Sequence, residues 1–509
     1  MFARVTSIGL FGMESYKVEV EANLSSGLPR FDVVGLPDAA VSESRERVRA
    51  AVHNNGFDFP VSRVTINLAP ADTRKEGPIY DLPIFIAILK STGQLRADTD
   101  GCAFLGELSL NGEVHSVNGV LPMVIRAQKE HIGKIFVPYA NRHEGAVVKG
   151  IEVYPVKNVA ELLDHLNGKA ELSPVSADDY IESSYDDNLP DFSDVKGQYQ
   201  AKRALEVAAA GGHNIMMIGP PGSGKSMLAK RIPSILPDMT FDESLETTNI
   251  YSVSGKLPEG VSLMKQRPFR SPHHTISPAG LSGGGTVPRP GEISLAHNGV
   301  LFLDELPEFS RQSMEILRQP IEDGRITIAR VAATYSYPCS VMLVCAMNPC
   351  PCGFFGHPTK KCTCPSGAPA RYLAKVSGPL LDRLDIHIEV PAVDYDELAS
   401  REKSEPSSAI KARVNAARKI QQQRFEGSST TCNAKMTSAE TRKYCNLTDE
   451  ASKLLKDSFE RLGLSARAYD KVLRVARTVA DLDSSDIIDS EHIMEAVQYR
   501  SLDRKFWKA

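Results

Sequence analysis

Hydrophobic positions along this chain form two patterns, alternation with polar residues and unbroken apolar runs. Alternation predicts a strand with one buried face, and a short unbroken run predicts a strand that is buried on both faces of a parallel sheet. The predicted strands include Tyr16–Glu21, Arg63–Asn67, Lys134–Pro138, Asn214–Ile218, Gly299–Leu303 and Ser340–Cys345. Because helical segments such as Ala39–Asn54 separate them, the pattern predicts the α/β class.

The same pattern divides the chain into four parts. Residues 1–172 mix strands and helices, which predicts an α/β domain. Residues 173–194 contain seven acidic residues and no Lys or Arg, as expected of a flexible linker. Residues 195–393 alternate strands with helices, and residues 394–509 are predicted to be helical.

Composition limits the possible classes of protein. A chain of 509 residues is too long for one core, and 42% hydrophobic with 24% charged residues is ordinary globular composition. The sequence has no long apolar run and no signal-peptide pattern, so we expect a cytoplasmic protein without a membrane span. Nine cysteines in such a chain indicate reduced thiols or metal ligands. With a net charge of −4, a polyanionic partner requires local basic patches.

A phosphate-binding motif follows the apolar run Ile215–Ile218. It matches the pattern G-x-x-x-x-G-K-[ST] and consists of Gly219, Pro220, Pro221, Gly222, Ser223, Gly224, Lys225 and Ser226. Its backbone N–H groups surround phosphate oxygens, Lys225 reaches the β- and γ-phosphates, and Ser226 ligates Mg²⁺. The sequence therefore predicts binding of ATP with Mg²⁺.

Two carboxylates follow the second apolar run. Asp304 and Glu305 come directly after Val300–Leu303. At the carboxyl end of a buried strand, Asp304 is predicted to hold the Mg²⁺ shell and Glu305 to act as the general base on water.

Five segments together resemble AAA+ ATPases of the magnesium-chelatase and MCM-like group: Phe192–Gln198, the phosphate-binding motif, Gly291–Glu305, Cys345–Asn348 and Gly378–Asp385. With the N-terminal region included, the resemblance covers nearly the whole chain and points to the ComM/YifB family. It implies a P-loop AAA+ core, which is a parallel sheet with helices on both faces. A C-terminal helical lid and an N-terminal α/β domain like that of Lon protease complete the implied fold.

The resemblance also implies roles for three further residues. Asn348 matches the sensor-1 residue that positions the attacking water, with a strand-end turn residue as the alternative. Arg383 matches the arginine finger that a neighbouring subunit presents, with a helix arginine paired to Asp382 or Asp385 as the alternative. Arg467 matches the sensor-2 arginine of the lid.

Several basic segments are candidates for DNA contact. Gly324–Tyr337 is predicted to be a hairpin at the position of the channel hairpin of related hexamers, where Arg325 and Arg330 would grip phosphates. The segment containing Arg270, His273 and His274 is predicted to be a pore loop. The helix Lys411–Arg424 has five basic residues and no acidic ones, and it is either a third contact or an ordinary solvated face.

A cysteine-rich loop follows Asn348. Its four thiols, with His357 between the pairs, suit tetrahedral zinc, and the alternative is reduced cysteines in a turn. The proposed ligands are Cys350, Cys352, Cys362 and Cys364.

The N-terminal region resembles the proteolytic domain of Lon from Gly106–Val114 through Val137–Asn141. A serine-lysine peptidase needs a hydroxyl that an amine activates. The matching positions hold Ile79 and Leu121, so we expect a Lon-like fold without peptidase activity.

These observations predict an ATP-dependent motor that acts on branched or single-stranded DNA without sequence preference. The resemblance implies a homo-oligomeric, hexameric ring with a role in branch migration during natural transformation. Two alternatives remain, a chelatase-type motor that acts on a protein partner and an ATP-dependent protease component.

Overall fold

The structure is a computed structural model that describes residues 1–176, 180, 189–285, 288–329, 334–393, 404–463, 465–502 and 506. The chain forms two compact units. The first unit comprises Met1–Ser184, Phe241–Lys265 and Ala329–Tyr337, and the second comprises Tyr185–Thr240, Gln266–Ile328 and Pro338–Ala509. Two segments of the first unit therefore come from the middle of the chain.

A mixed sheet forms the centre of the first unit, and it has seven strands among the described residues. Glu14–Ser25 pairs antiparallel with a neighbour on each side, and the other pairs are parallel. Alternate residues of Arg63–Ala69 are buried, as the polarity pattern predicts. In spatial order the strands are Arg30–Val34, Arg63–Ala69, Glu14–Ser25, Phe2–Phe11, Cys102–Phe104, Lys134–Pro138 and Glu152–Val156.

Helices pack against this sheet. The helix Ala39–Asn54 has the predicted bounds, and the Asp38 carboxylate caps it by accepting from the Val41 N–H at 2.8 Å. The other helices of the N-terminal region are Asp81–Ser91, Val120–Lys129, Arg142–Gly145 and Val159–Leu166.

The buried carboxylate of Glu144 joins the segment Phe241–Lys265 to the rest of the first unit. It accepts hydrogen bonds from the Ser252 hydroxyl, the Leu121 N–H at 3.1 Å and the Asn141 amide at 2.7 Å. Burial raises the pKa of Glu144, and these three donors oppose that rise. Because Ser252 lies in the helix Phe241–Ser254, the inserted helix is fixed by a fully hydrogen-bonded polar group.

The predicted hairpin is present as two paired strands, Arg325–Ala329 and Thr334–Pro338. Its second strand belongs mainly to the first unit, where Tyr335 and Tyr337 are buried. The Tyr335 ring stacks on Phe11 with centroids 4.7 Å apart. Alternate residues of a strand point to opposite faces, and here tyrosine alternates with small polar residues. The tyrosine face of this strand is therefore the buried one.

Five parallel strands form the sheet of the second unit within its described residues. The strand Ile215–Ile218 lies between Met342–Met347 and Ile386–Glu389. In spatial order the strands are Phe269–Arg270, Val300–Leu303, Met342–Met347, Ile215–Ile218 and Ile386–Glu389. Their shared direction brings their carboxyl ends to one edge. The predicted P-loop α/β core is thus confirmed. Two further pairs of short strands lie in the described part of the chain, Glu107–Leu108 with Val114–His115 and Gly283–Gly284 with Arg289–Pro290.

Helices precede, connect and follow these strands. The C-terminal region is helical, as predicted, and its buried Val472 and Ala476 share one hydrophobic core with Ile386 of the sheet. No helix among the described residues is long and apolar enough to cross a membrane. The helices of the second unit are Tyr199–Gly211, Lys225–Arg231, Pro278–Ser282, Glu292–Leu295, Arg311–Ile316, Arg318–Asp323, Ala368–Leu373, Gly378–Leu381, Ser407–Arg424, Ser438–Tyr444, Asp449–Leu462, Ala466–Leu482 and Ser490–Gln498.

The sequence predicts a linker and a pore loop in two segments. Parts of both segments pack and form hydrogen bonds within the second unit. At the end of the predicted linker, Phe192 is fully buried and Asp191 accepts from the Ser407 N–H at 3.2 Å. In the predicted pore loop, Phe269–Arg270 is the edge strand of the sheet, and Phe269 stacks on Phe302 at 6.0 Å. These two residues thus form a strand within the predicted loop, because the half-buried Phe269 packs against the sheet, and the role of the segment as a pore loop stays a prediction.

The buried carboxylate of Asp385 ties the C-terminal helices to the sheet. It contacts the Lys471 ammonium at 2.9 Å, and it accepts from the Asn214 N–H at 3.0 Å. Burial alone would raise the pKa of Asp385, but the charges of Lys471 and of the neighbouring His213 hold it well below its usual value. The ion pair is thus formed at neutral pH.

Asp385→Asn should destabilise the chain by about 3–5 kcal/mol, because it leaves the Lys471 ammonium buried without its partner. Asp382→Asn, on an exposed neighbour, is the matched control. Since the pKa of Asp385 is lowered on folding, its contribution is present above the unfolded pKa of about 4 and is lost as pH falls. Urea unfolding at pH 7 and pH 3 measures both effects, and an equal gap between wild type and variant at the two pH values would contradict this account.

Candidate active site

The phosphate-binding loop connects the central strand Ile215–Ile218 to the helix Lys225–Arg231. Gly222 and Gly224 have φ of 78° and 91°, a region that glycine occupies without strain. At Gly219 a Cβ would come within 2.2 Å of the Val390 carbonyl oxygen, so glycine is required there by a close approach of two backbones. The predicted motif therefore has the strand, loop and helix context that phosphate binding needs.

The Lys225 ammonium lies in the middle of this loop. It donates to the carbonyl oxygens of Gly219 at 2.8 Å and Pro220 at 2.9 Å, and contacts the Ser223 hydroxyl at 3.3 Å. Its fourth contact is the Asn348 Oδ1 at 3.3 Å. Burial lowers the pKa of Lys225 to about 8, although the nearby charge of Asp304 opposes the shift. A phosphate oxygen at this position would restore a full counter-charge.

Ser226 and Asp304 meet beside the lysine. The Ser226 hydroxyl donates to Asp304 Oδ2 at 2.5 Å, and the other carboxylate oxygen accepts from the Glu305 N–H at 2.9 Å. A hydroxyl and a carboxylate in contact are hard oxygen ligands of the kind that Mg²⁺ takes together with substrate phosphates. These two residues therefore fit the predicted Mg²⁺ site.

Glu305 follows Asp304 with its side chain more than half exposed. Its φ of 52° is unusual for a residue with a side chain, and such strain is common where a side chain is aimed at a substrate. The His274 Nδ1 lies 3.4 Å from Glu305 Oε2. The His274 ring also lies against the His273 ring in a tilted arrangement, with centroids 4.1 Å apart, and meets the edge of Phe309 at 6.4 Å. The predicted base is thus in contact with a histidine that the sequence suggested for DNA.

This contact was missed because the edge strand before the histidines has only two residues, Phe269–Arg270. A polar residue shortly after a parallel strand is a signal for the carboxyl edge of the sheet. His274 follows the strand by four positions and so reaches the same edge as Glu305.

Asn348 comes directly after the strand Met342–Met347. Its contact with Lys225 puts its amide group beside the phosphate-binding loop. The side chains predicted to act on phosphate and Mg²⁺ therefore converge from three adjacent strands.

The two predicted arginines of the subunit boundary and the lid have different surroundings. Arg383 is paired with Glu322 at 2.6 Å and donates to the Pro379 carbonyl at 2.6 Å. Its partner is thus neither Asp382 nor Asp385, the residues that the sequence suggested. Arg467 is exposed in the first turn of the helix Ala466–Leu482.

The candidate DNA contacts also differ in availability. Arg325 is exposed in its strand, whereas Arg330 lies outside the described residues. Arg270 makes two contacts with the Glu292 carboxylate, at 2.6 and 2.8 Å. His273 is hydrogen-bonded to Thr275 at 2.9 Å. Arg270 therefore serves an internal ion pair.

The basic helix Ser407–Arg424 is largely neutralised within the second unit. Lys411 pairs with Asp238 at 2.8 Å, Arg413 with Glu206 at 2.5 Å and Arg424 with Asp481 at 2.5 Å. The structure thus favours the packing role of this helix over a DNA contact.

Four thiols converge in the loop Cys350–Cys364. The Cys350 sulfur lies 3.4 Å from that of Cys352 and 3.7 Å from that of Cys362. Sulfur ligands about 2.3 Å from a tetrahedral zinc lie about 3.8 Å apart, so the geometry fits zinc. Backbone N–H groups lower the pKa of Cys352, whereas hydrogen bonds with the neighbouring thiols raise the pKa of Cys362 and Cys364, so the support for zinc comes from the sulfur geometry. The full set, within 4.8 Å, is Cys350, Cys352, Cys362 and Cys364.

The Lon-like positions of the first unit are apolar. Ile79 and Leu121 are both buried, and Leu121 packs with Val147 and Leu263. These positions therefore cannot supply the hydroxyl and amine of a serine-lysine peptidase.

Family comparisons cover most of the chain. The model described as magnesium chelatase, subunit ChlI, matches residues 191–398, and the model of its C-terminal part matches residues 404–500. A further model, subunit ChlI of Mg-chelatase, matches residues 20–141.

Three relatives illustrate the range of similarity. YifB of Escherichia coli is 44% identical over 97% of this chain and 96% of its own length. Competence protein ComM of Haemophilus influenzae is 42% identical over 99% of both chains. Lon protease of Mycolicibacterium smegmatis is 25% identical over 31% of this chain and 22% of its own length. Full-length similarity to YifB and ComM, together with the ChlI models, means that this chain belongs to the ComM/YifB family of magnesium-chelatase-like AAA+ proteins.

Proposed function

We propose that this chain is an ATPase that works as a ring-shaped motor on branched or single-stranded DNA during recombination. The observation that carries the proposal is the convergence of Lys225, Ser226, Asp304 and Asn348 at one edge of the parallel sheet. Full-length similarity to ComM, a competence protein, supports a role in natural transformation, where branch migration is the step that a DNA motor would perform.

Hydrolysis needs a phosphate clamp, a metal site and a base. Lys225 would exchange its carbonyl contacts for phosphate oxygens, and Ser226 with Asp304 would hold Mg²⁺, whose charge would offset that of the phosphates. Glu305 accepts a proton from the attacking water as that water approaches the γ-phosphate. Asn348 orients the water through its amide group.

Assembly would complete the site. In the proposed hexameric ring, Arg383 leaves Glu322 and faces the ATP of the next subunit. An arginine in that position is worth on the order of 10³-fold or more in rate. Arg467, exposed on the lid, contributes a second positive charge to the bound nucleotide.

DNA would be held through its phosphates. Arg325 and Arg330 of the hairpin are the proposed contacts, and His273 is a weaker candidate. We expect contacts with phosphates rather than with base edges, so binding should depend on DNA structure and salt.

The matches to magnesium-chelatase models favour one other function, a motor that acts on a protein partner. A protease component is not supported, because Ile79 and Leu121 occupy the positions of the peptidase pair.

DNA should raise the ATPase rate severalfold if the motor acts on DNA. The measurement compares the full chain without DNA, with single strands and with forked DNA. Glu305→Gln should bind ATP but lose at least roughly 100-fold in turnover, because an amide cannot accept the proton of water. Arg325→Ala should retain the basal rate and lose part of the stimulation.

An ATPase rate that DNA does not change would favour the protein-partner motor instead. Wild-type turnover in Glu305→Gln would show that the base is misassigned.

His274→Ala should lower kcat roughly tenfold with little change in KM, because Glu305 loses the contact that orients it. His273→Ala is the matched control, since the polar contact of His273 is with Thr275. Steady-state kinetics separates the two constants, and His274→Asn should recover part of the rate. Equal losses in the two alanine variants would indicate a general effect on the loop.

The four clustered thiols are proposed to hold one structural zinc per chain. Elemental analysis of protein purified without added metal should give about one zinc per chain. Cys362→Ser should lose it, while Cys432→Ser, at a buried cysteine outside the cluster, should keep it. A zinc content near zero in the wild-type protein would remove this part of the proposal.

A further inference from the structure

The cysteine loop, residues Cys350–Cys364, begins two residues after Asn348. Asn348 contacts Lys225 of the phosphate-binding loop through its side chain. The cysteine loop is therefore connected to the nucleotide site through Asn348, which lies just before the loop and contacts the phosphate-binding lysine.

A second connection is made by backbone. Gly353 has a φ of 83°, and a Cβ at this position would lie 2.3 Å from the Cδ and 2.7 Å from the Cγ of Pro221. Pro221 is the third residue of the phosphate-binding loop. Since a real Cβ does not approach a carbon atom so closely, the Gly353 backbone lies directly against the proline ring, and neither side has a flexible group that can move away.

The thiol cluster fixes the position of Gly353. The Gly353 N–H donates to the Cys350 carbonyl at 2.9 Å, and the Phe355 N–H donates to the Cys350 sulfur at 3.3 Å. The Cys352 N–H donates to the Cys364 sulfur at 3.4 Å. Gly353 thus lies in a turn whose shape depends on where the sulfur atoms are held.

We propose that the cysteine loop braces the phosphate-binding loop through the contact of Gly353 with Pro221, so that closure of the thiol cluster sets nucleotide affinity. The brace limits how far Pro221 can move outward, and with it the N–H groups that surround the phosphates. The link to metal rests on the zinc site proposed above, whereas the contact itself does not.

The loop provides a matched pair of glycines for the test. Gly356 also has a positive φ, 77°, but a Cβ there would meet nothing within 4 Å. Gly353→Ala and Gly356→Ala therefore introduce similar backbone strain, and only the first adds a methyl group against Pro221.

Binding of ATPγS to the full chain, measured by calorimetry, distinguishes the two variants. Gly353→Ala should bind roughly tenfold more weakly than wild type, and Gly356→Ala should bind within about twofold. Pro221→Ala should recover part of the loss when it is combined with Gly353→Ala, because it removes the ring atoms that the new methyl group meets. Cys362→Ser should weaken binding in the same direction.

Equal affinities of Gly353→Ala and wild type, with both proteins folded, would overturn the brace. Equal losses in the two glycine variants would also overturn it, because strain in the loop would then be the cause. A wild-type protein without zinc would overturn the metal site alone, since the comparison of the two glycines does not depend on metal content.

Discussion

The ammonium group of Lys225 is buried, and its contacts come from its own loop and from the end of the neighbouring strand. Burial of a charge is costly unless other groups satisfy it, so the carbonyl oxygens of the loop and the Asn348 amide must stay close. Glycines at the turns allow this closeness, and the parallel sheet supplies the strand ends. The lowered pKa of Lys225 shows that this environment is less favourable to the charge than water, which leaves a favourable position for an anionic ligand.

Along the chain, two segments of the first unit lie between the segments that form the nucleotide site of the second unit. Phe241–Lys265 follows the helix of the phosphate-binding loop in the chain, and Ala329–Tyr337 precedes the strand of Asn348. Both are fixed by specific interactions in the first unit, the Glu144 hydrogen bonds and the stacking of Tyr335 on Phe11. The polypeptide itself therefore links the strand ends that hold nucleotide groups to the Lon-like unit.

Local sequence patterns predicted the strands of the core, the phosphate-binding loop and the carboxylates, because each depends on residues close together in the chain. Tertiary partners were predicted poorly. Arg383 pairs with Glu322, about sixty residues away, rather than with its acidic neighbours. From the sequence alone the basic helix was a candidate for DNA contact, because the acidic residues that pair with it lie elsewhere in the chain. The position of His274 beside Glu305 depends on a two-residue strand, which periodicity cannot detect.

Ile79 and Leu121, at the positions that match the peptidase pair of Lon, are apolar residues with a structural role in the first unit. Ile79 and Leu121 fill what would be a peptidase site with buried side chains, and Leu121 also donates its N–H to Glu144. The same carboxylate accepts from Ser252 of the inserted helix. One buried carboxylate thus holds both the Leu121 backbone and the inserted helix, so the segment Phe241–Lys265 is attached to the first unit beside a position that is apolar here.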